Sequence, residues 1–118
     1  MKYRHLGNSG LEVSVIGLGT NNFGGRMEFK EAKEVIFSAL DQGINLIDTA
    51  NIYSHGRSEE IIGRALTDRR QESLIATKFG MVWEDGPHGH GGSRKHIMDS
   101  LEGSLRRLQT DHVDLYQM

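Results

Sequence analysis

Four apolar runs beginning near residues 13, 44, 74 and 113 alternate with stretches of helical period, and this alternation predicts an α/β fold on a parallel sheet. The runs carry almost no polar face, as expected of strands covered on both sides. Their spacing of roughly 30 to 40 residues is that of repeated βα units. It fits both a TIM (β/α)8 barrel and a doubly wound open sheet, so the choice between them falls to the chemistry at the strand ends.

The elements follow in order. Lys2 to His5 and Leu11 to Val13 flank Gly7-Asn8-Ser9-Gly10, whose residues tolerate positive φ, which predicts a short N-terminal hairpin. Val13 to Gly19 reads as the first buried strand. From Glu28 the period changes: Ala32, Val35, Ile36, Ala39 and Leu40 mark one helix face, which Gly43 terminates in the left-handed conformation. Ile44 to Ile47 is the second strand, Ile61, Ile62, Ala65 and Leu66 the second helix face, and Leu74 to Ala76 the third strand. Ser93 is placed to cap a third helix, in which Ile97, Leu101, Leu105 and Leu108 recur before a fourth strand at Val113 to Tyr116.

Composition narrows the function classes. The 118 residues leave room for one small domain, and a net charge of -2 from 14 basic and 16 acidic residues offers no basic stripe for nucleic acid. No apolar run is long enough to span a bilayer. The absence of cysteine rules out thiolate metal sites and suits a reducing cytoplasm. His88 and His90 lie in a glycine-rich loop without a third ligand at metal spacing, so no metal site is expected. Trp83 lies in the same loop, as pocket wall or as surface aromatic. Glu59 and Glu60 read as first-turn acids favoured by the helix dipole, and Arg106 and Arg107 as the matching cations near the end of the third helix.

A dinucleotide fold would place Gly-x-Gly-x-x-Gly after the first strand, but Gly17-Leu18-Gly19-Thr20-Asn21-Asn22 lacks the third glycine. Three other polar residues end or closely follow apolar strands: Asp48, Tyr53 and Lys78. Singly, Asp48 is a turn residue and Lys78 a lysine reaching for water. Together on neighbouring strands, Asp48 and Lys78 are expected to pair within about 4 Å, with Tyr53 adding its phenol. A phenol is a poor proton donor at neutral pH, and a nearby ammonium favours its ionised form, so this trio has the makings of a tuned general acid.

Gly19-Thr20, Asp48-Thr49-Ala50 with Tyr53, Gly56-Arg57-Ser58-Glu59 with Gly63, Ala76-Thr77-Lys78 and Asp114-Leu115-Tyr116-Gln117 occur in sequence order across the whole chain. This series resembles the successive motifs of the aldo-keto reductase superfamily. The resemblance implies a TIM barrel, of which residues 1–118 supply the N-terminal hairpin, about four strands and three helices as a single incomplete domain. It implies carbonyl reduction with a nicotinamide cofactor, NADPH rather than NADH. Tyr53 would be the general acid, tuned by Lys78 and Asp48, with Gly19, Thr20, Asn21 and Asp48 against the cofactor. A fourth, carbonyl-orienting histidine is expected just past Met118. The interval from Asp48 to Glu59 resembles the subgroup of potassium channel β subunits and bacterial general-stress reductases, so a nicotinamide-binding regulatory subunit is the alternative.

The expected partners are a small carbonyl substrate and either the remaining half-barrel or a second copy of the chain. One or the other is needed to cover the edges of a four-stranded sheet, whose inner face is expected to expose Ile44 to Ile47 and Leu74 to Ala76. The chain is expected to be a fragment, or half of an assembly, without activity of its own.

Overall fold

A computed structural model describes all 118 residues. β1 (Tyr3–His5) and β2 (Glu12–Ser14) pair antiparallel as the expected hairpin. A four-stranded parallel sheet follows, in the order β3 (Leu18–Gly19), β4 (Leu46–Asp48), β5 (Leu74–Lys78) and β6 (Leu115–Gln117). Helices α1 (Phe29–Asp41), α2 (Arg57–Ala65) and α3 (Arg94–Leu108) connect successive strands. Strand order thus equals chain order, with one helix per crossover, as in a barrel wall. A dinucleotide-binding sheet would instead reverse direction at a switch point.

One expected strand is broken in two. Val13 and Ser14 belong to the hairpin, only Leu18 and Gly19 join the parallel sheet, and Val15 and Ile16 between them are 47% and 56% exposed. The cause is Ser14, whose Oγ donates to Ile16 O at 2.6 Å and accepts from Asn45 N at 3.1 Å. These bonds turn the backbone out of the ladder.

The sheet's two faces separate along each strand. Thr77 is buried beneath the helices, and there Ile47 and Ile75 meet Ile36, Ile61, Ile62 and Leu108 in one apolar core. Each such side chain contributes about 1.5–3 kcal/mol by leaving water. The opposite face carries Leu46, Leu74 and Leu115, all half-buried, with Asp48, Lys78 and Gln117 at its C-terminal end. The runs expected to be exposed are therefore split by the two-residue period: Ile47 and Ile75 face the helices and are buried, while Ala76, on the opposite face in register with Asp48, is buried as well.

Gly43 has φ of +85° after α1, as its position predicts, and Ser93 Oγ accepts from His96 N at 3.1 Å to cap α3. The face of α3 differs from expectation. Its buried residues are His96, Ser100, Ser104 and Leu108, whereas Ile97, Leu101 and Leu105 are half-buried. Small hydroxyls let α3 approach closely and bond locally, which apolar spacing alone does not reveal.

The N-terminal ends of β5 and β6 are clamped by Arg70. Its guanidinium donates to Ser73 O at 2.8 Å, His112 O at 3.1 Å and Asp114 Oδ2 at 2.9 Å, and the same carboxylate oxygen accepts from Ile75 N at 2.8 Å.

Candidate active site

Asp48 and Lys78 are the last residues of adjacent parallel strands, and Asp48 stands in register with Ala76. Lys78 therefore lies two residues further along the same face, within reach of the Asp48 carboxylate. Its ammonium donates to Asp48 Oδ2 at 2.7 Å, to Thr49 O at 2.9 Å and to Tyr53 Oη at 3.4 Å. An ammonium has three N–H donors, and each finds one oxygen here. The side chains of Lys78 and Asp48 are 32% and 38% exposed, so the pair adds at most about 1 kcal/mol to stability. What it does provide is a fixed positive charge beside a phenol. Gln117 Nε2 adds a long contact, 3.4 Å, to Asp48 Oδ1.

Tyr53 reaches this cluster because the chain beyond β4 stays on β5: Thr49 N donates to Ala76 O and Asn51 N to Lys78 O. It then turns sharply at Tyr53–Gly56, where Ser54 and His55 adopt φ of 48° and 49°. Left-handed conformation costs residues with a Cβ about 1–2 kcal/mol each. In front of Tyr53 and Lys78 a cavity of about 220 Å³ is walled by Ala50, Ile52, Phe79 and Met118.

The other residues expected at the site divide. Gly19 is exposed, in register with Asp48, and a Cβ there would meet nothing within 4 Å, so open space adjoins the strand end. Asn21 is exposed in the turn that follows. Thr20 is fully buried. Its Oγ1 donates to Asp48 O at 2.9 Å, and Ser58 Oγ bonds to Thr20 and to Thr49 Oγ1 at 3.0 Å. Thr20 and Ser58 thus tie the start of α2 to the ends of β3 and β4.

Glu59 and Arg107 stand in the first turn of α2 and the last turn of α3 as expected, but each does more there than face a helix dipole. Glu59 is fully buried, accepting from Thr77 Oγ1 at 2.6 Å and from Arg107 Nε at 2.7 Å. A signal was present in the sequence: Glu59 precedes Ile62 and Leu66 by three and seven residues and so shares their inward face. Beside this pair the buried hydroxyl of Tyr116 has no hydrogen-bond partner, and burial, reinforced by the charge of Glu59, pushes it up to about 12. Trp83 packs on His55 and Arg107, not on open surface. His88 offers a backbone carbonyl to His96 Nδ1 at 2.8 Å, and nowhere do three His, Asp or Glu side chains gather to hold a metal ion.

A parallel wall of successive βα units, with a lysine, a carboxylate and a phenol at the C-terminal strand ends, defines a β/α-barrel protein whose polar cluster lies where barrel enzymes keep their active sites. The profile of the Aldo/keto reductase family matches residues 15–118. Aldo-keto reductase YhdN of Bacillus subtilis is 44% identical over 124 residues, which cover 100% of this chain and 38% of that protein. A probable voltage-gated potassium channel subunit beta of Oryza sativa is 43% identical, covering 98% of this chain and 36% of that one. The solved structure of aldo-keto reductase AKR11C1 from Bacillus halodurans, in its holo form, superimposes with a TM-score of 0.88 at 42% identity over 99% of this chain and 39% of that structure. The chain belongs to the aldo/keto reductase family, and its sheet and helices are the matching part of a (β/α)8 barrel.

Proposed function

We propose that the protein carrying this chain reduces aldehydes or ketones to alcohols with a nicotinamide cofactor, Tyr53 acting as the proton donor. The observation that carries this reading is the Lys78 ammonium, which bonds at once to Asp48 and to the Tyr53 hydroxyl. The residues at hand fit the nicotinamide end of such a cofactor: open space lies over Gly19 beside Asp48, where the ring would rest, and Asn21 stands exposed in the following turn. A bound reduced nicotinamide supplies the hydride that adds to the carbonyl carbon. Tyr53 Oη gives its proton to the carbonyl oxygen, Lys78 stabilises the phenolate left behind, and Asp48 holds Lys78 in place. Thr20 acts from beneath, by fixing the backbone of Asp48.

NADPH is the proposed cofactor form, a small carbonyl compound the substrate and the cytoplasm the location. The remaining strands of a barrel, or failing them a second copy, would cover β3 and β6. Tyr53→Phe should lower turnover of an aldehyde by about 10²–10⁴ while leaving cofactor affinity near normal. Near-normal turnover in that variant would refute the assignment.

The 43% identity with a probable channel β subunit supports a second reading, a regulatory protein that binds the nicotinamide without physiological turnover. Loss of nicotinamide fluorescence on mixing the intact protein with a panel of aldehydes separates the two.

A further inference from the structure

The turn that presents Tyr53 holds three successive left-handed residues, of which two, Ser54 and His55, carry a Cβ. Its backbone hydrogen bonds are all local: Tyr53 N to Ala50 O, His55 N to Ile52 O, and Arg57 N to Tyr53 O and Ser54 O. Contacts from outside the turn hold it as well. The His55 ring lies flat on the Trp83 indole, with centroids 4.0 Å apart and planes within 8°. The Arg107 guanidinium sits 4.7 Å from the same indole. Gly56 fits beneath both: a Cβ there would come within 2.8 Å of Arg107 Cδ and 3.2 Å of Trp83 Cη2. Arg107 is itself fixed by the buried Glu59, and Glu59 by Thr77, the neighbour of Lys78.

The two ends of this line flank the two groups that must meet. One end is the residue before Lys78, the other lies two residues after Tyr53. We propose that the His55–Trp83–Arg107 stack, anchored on Glu59, is a positioning device that holds the Tyr53 hydroxyl against the Lys78 ammonium. This rests on the reading of Tyr53 as proton donor. His55 acts through its ring face, so the position needs a flat aromatic side chain, and Trp83 makes the β5–α3 loop part of the apparatus that aims the acid.

Proton transfer is sensitive to placement, and displacement of a reacting group by about 1 Å can cost on the order of 10²-fold in rate. In the intact protein, His55→Ala should lower kcat for aldehyde reduction about tenfold, with KM for the cofactor unchanged, and hydrogen exchange at the His55 amide should quicken. His55→Phe should restore both, and Trp83→Ala should repeat the loss. Wild-type kcat and exchange in His55→Ala, or failure of His55→Phe to rescue, would overturn the proposal while a dead Tyr53→Phe keeps the reading beneath it. Full turnover in Tyr53→Phe overturns both.

Discussion

At the scale of single residues, Lys78 has spent all three of its donors on Asp48, Thr49 and Tyr53, so it has none left for a substrate. It can act only through its charge and through the hydroxyl it holds. Lys78→Met should therefore depress turnover by orders of magnitude, about 10² or more, with cofactor binding little changed, as steady-state kinetics and fluorescence titration would record. Tyr116 offers a separate pH test. Its folded-state pKa, about 12, lies above the ordinary value of 10.0, so the neutral form is favoured by folding. That contribution is complete below about pH 10 and lost as the pH rises through 12. Ultraviolet titration should show one tyrosine ionising near pH 12 together with unfolding, and Tyr116→Phe should remove that transition. Asp48 and Lys78 were legible in the sequence because each closes an apolar run. The partners of Thr20, Glu59 and Arg107 were not legible, because the bonds of Thr20 to Ser58 and of Glu59 to Thr77 and Arg107 join residues far apart in sequence that local spacing does not connect.

At the scale of elements, α2 and α3 cross where a side chain cannot fit. A Cβ on Gly63 would lie 2.5 Å from the carbonyl carbon and oxygen of Leu108. Gly63→Ala must push the end of α3 away, and a loss of about 1–3 kcal/mol is expected in denaturant unfolding. The same displacement would drag Arg107 from Glu59, so turnover should fall along with stability. Helix α1 was readable from its period and its terminal glycine, since both signals are local. Strand β3 was not, because one serine hydroxyl decides where the hairpin ends and the sheet begins. The face of α3 was misjudged because His96, Ser100 and Ser104 look like solvated residues until the sheet is placed beside them.

At the scale of the whole molecule, β3 and β6 each pair on one side only, and Leu46, Leu74 and Leu115 stand half-covered between them. Open edges and apolar faces invite association. The 118-residue polypeptide on its own should sediment as oligomers or aggregate, and it should not reduce aldehydes. A monomer that turns over would contradict both expectations. The four-stranded order was foreseeable from the βα rhythm, but whether that rhythm closes or lies open depended on the motifs at the strand ends. Arg70 gives the arrangement a further property. Its clamp fixes β5 against β6 at the end of the sheet away from Lys78, so the register of these strands does not depend on the long glycine-rich loop that joins β5 to α3. Apart from Trp83, which stacks on His55 and Arg107, that loop can change without loosening the sheet. Lineages, or engineers, can rewrite the rest of it without renegotiating how the sheet is held together.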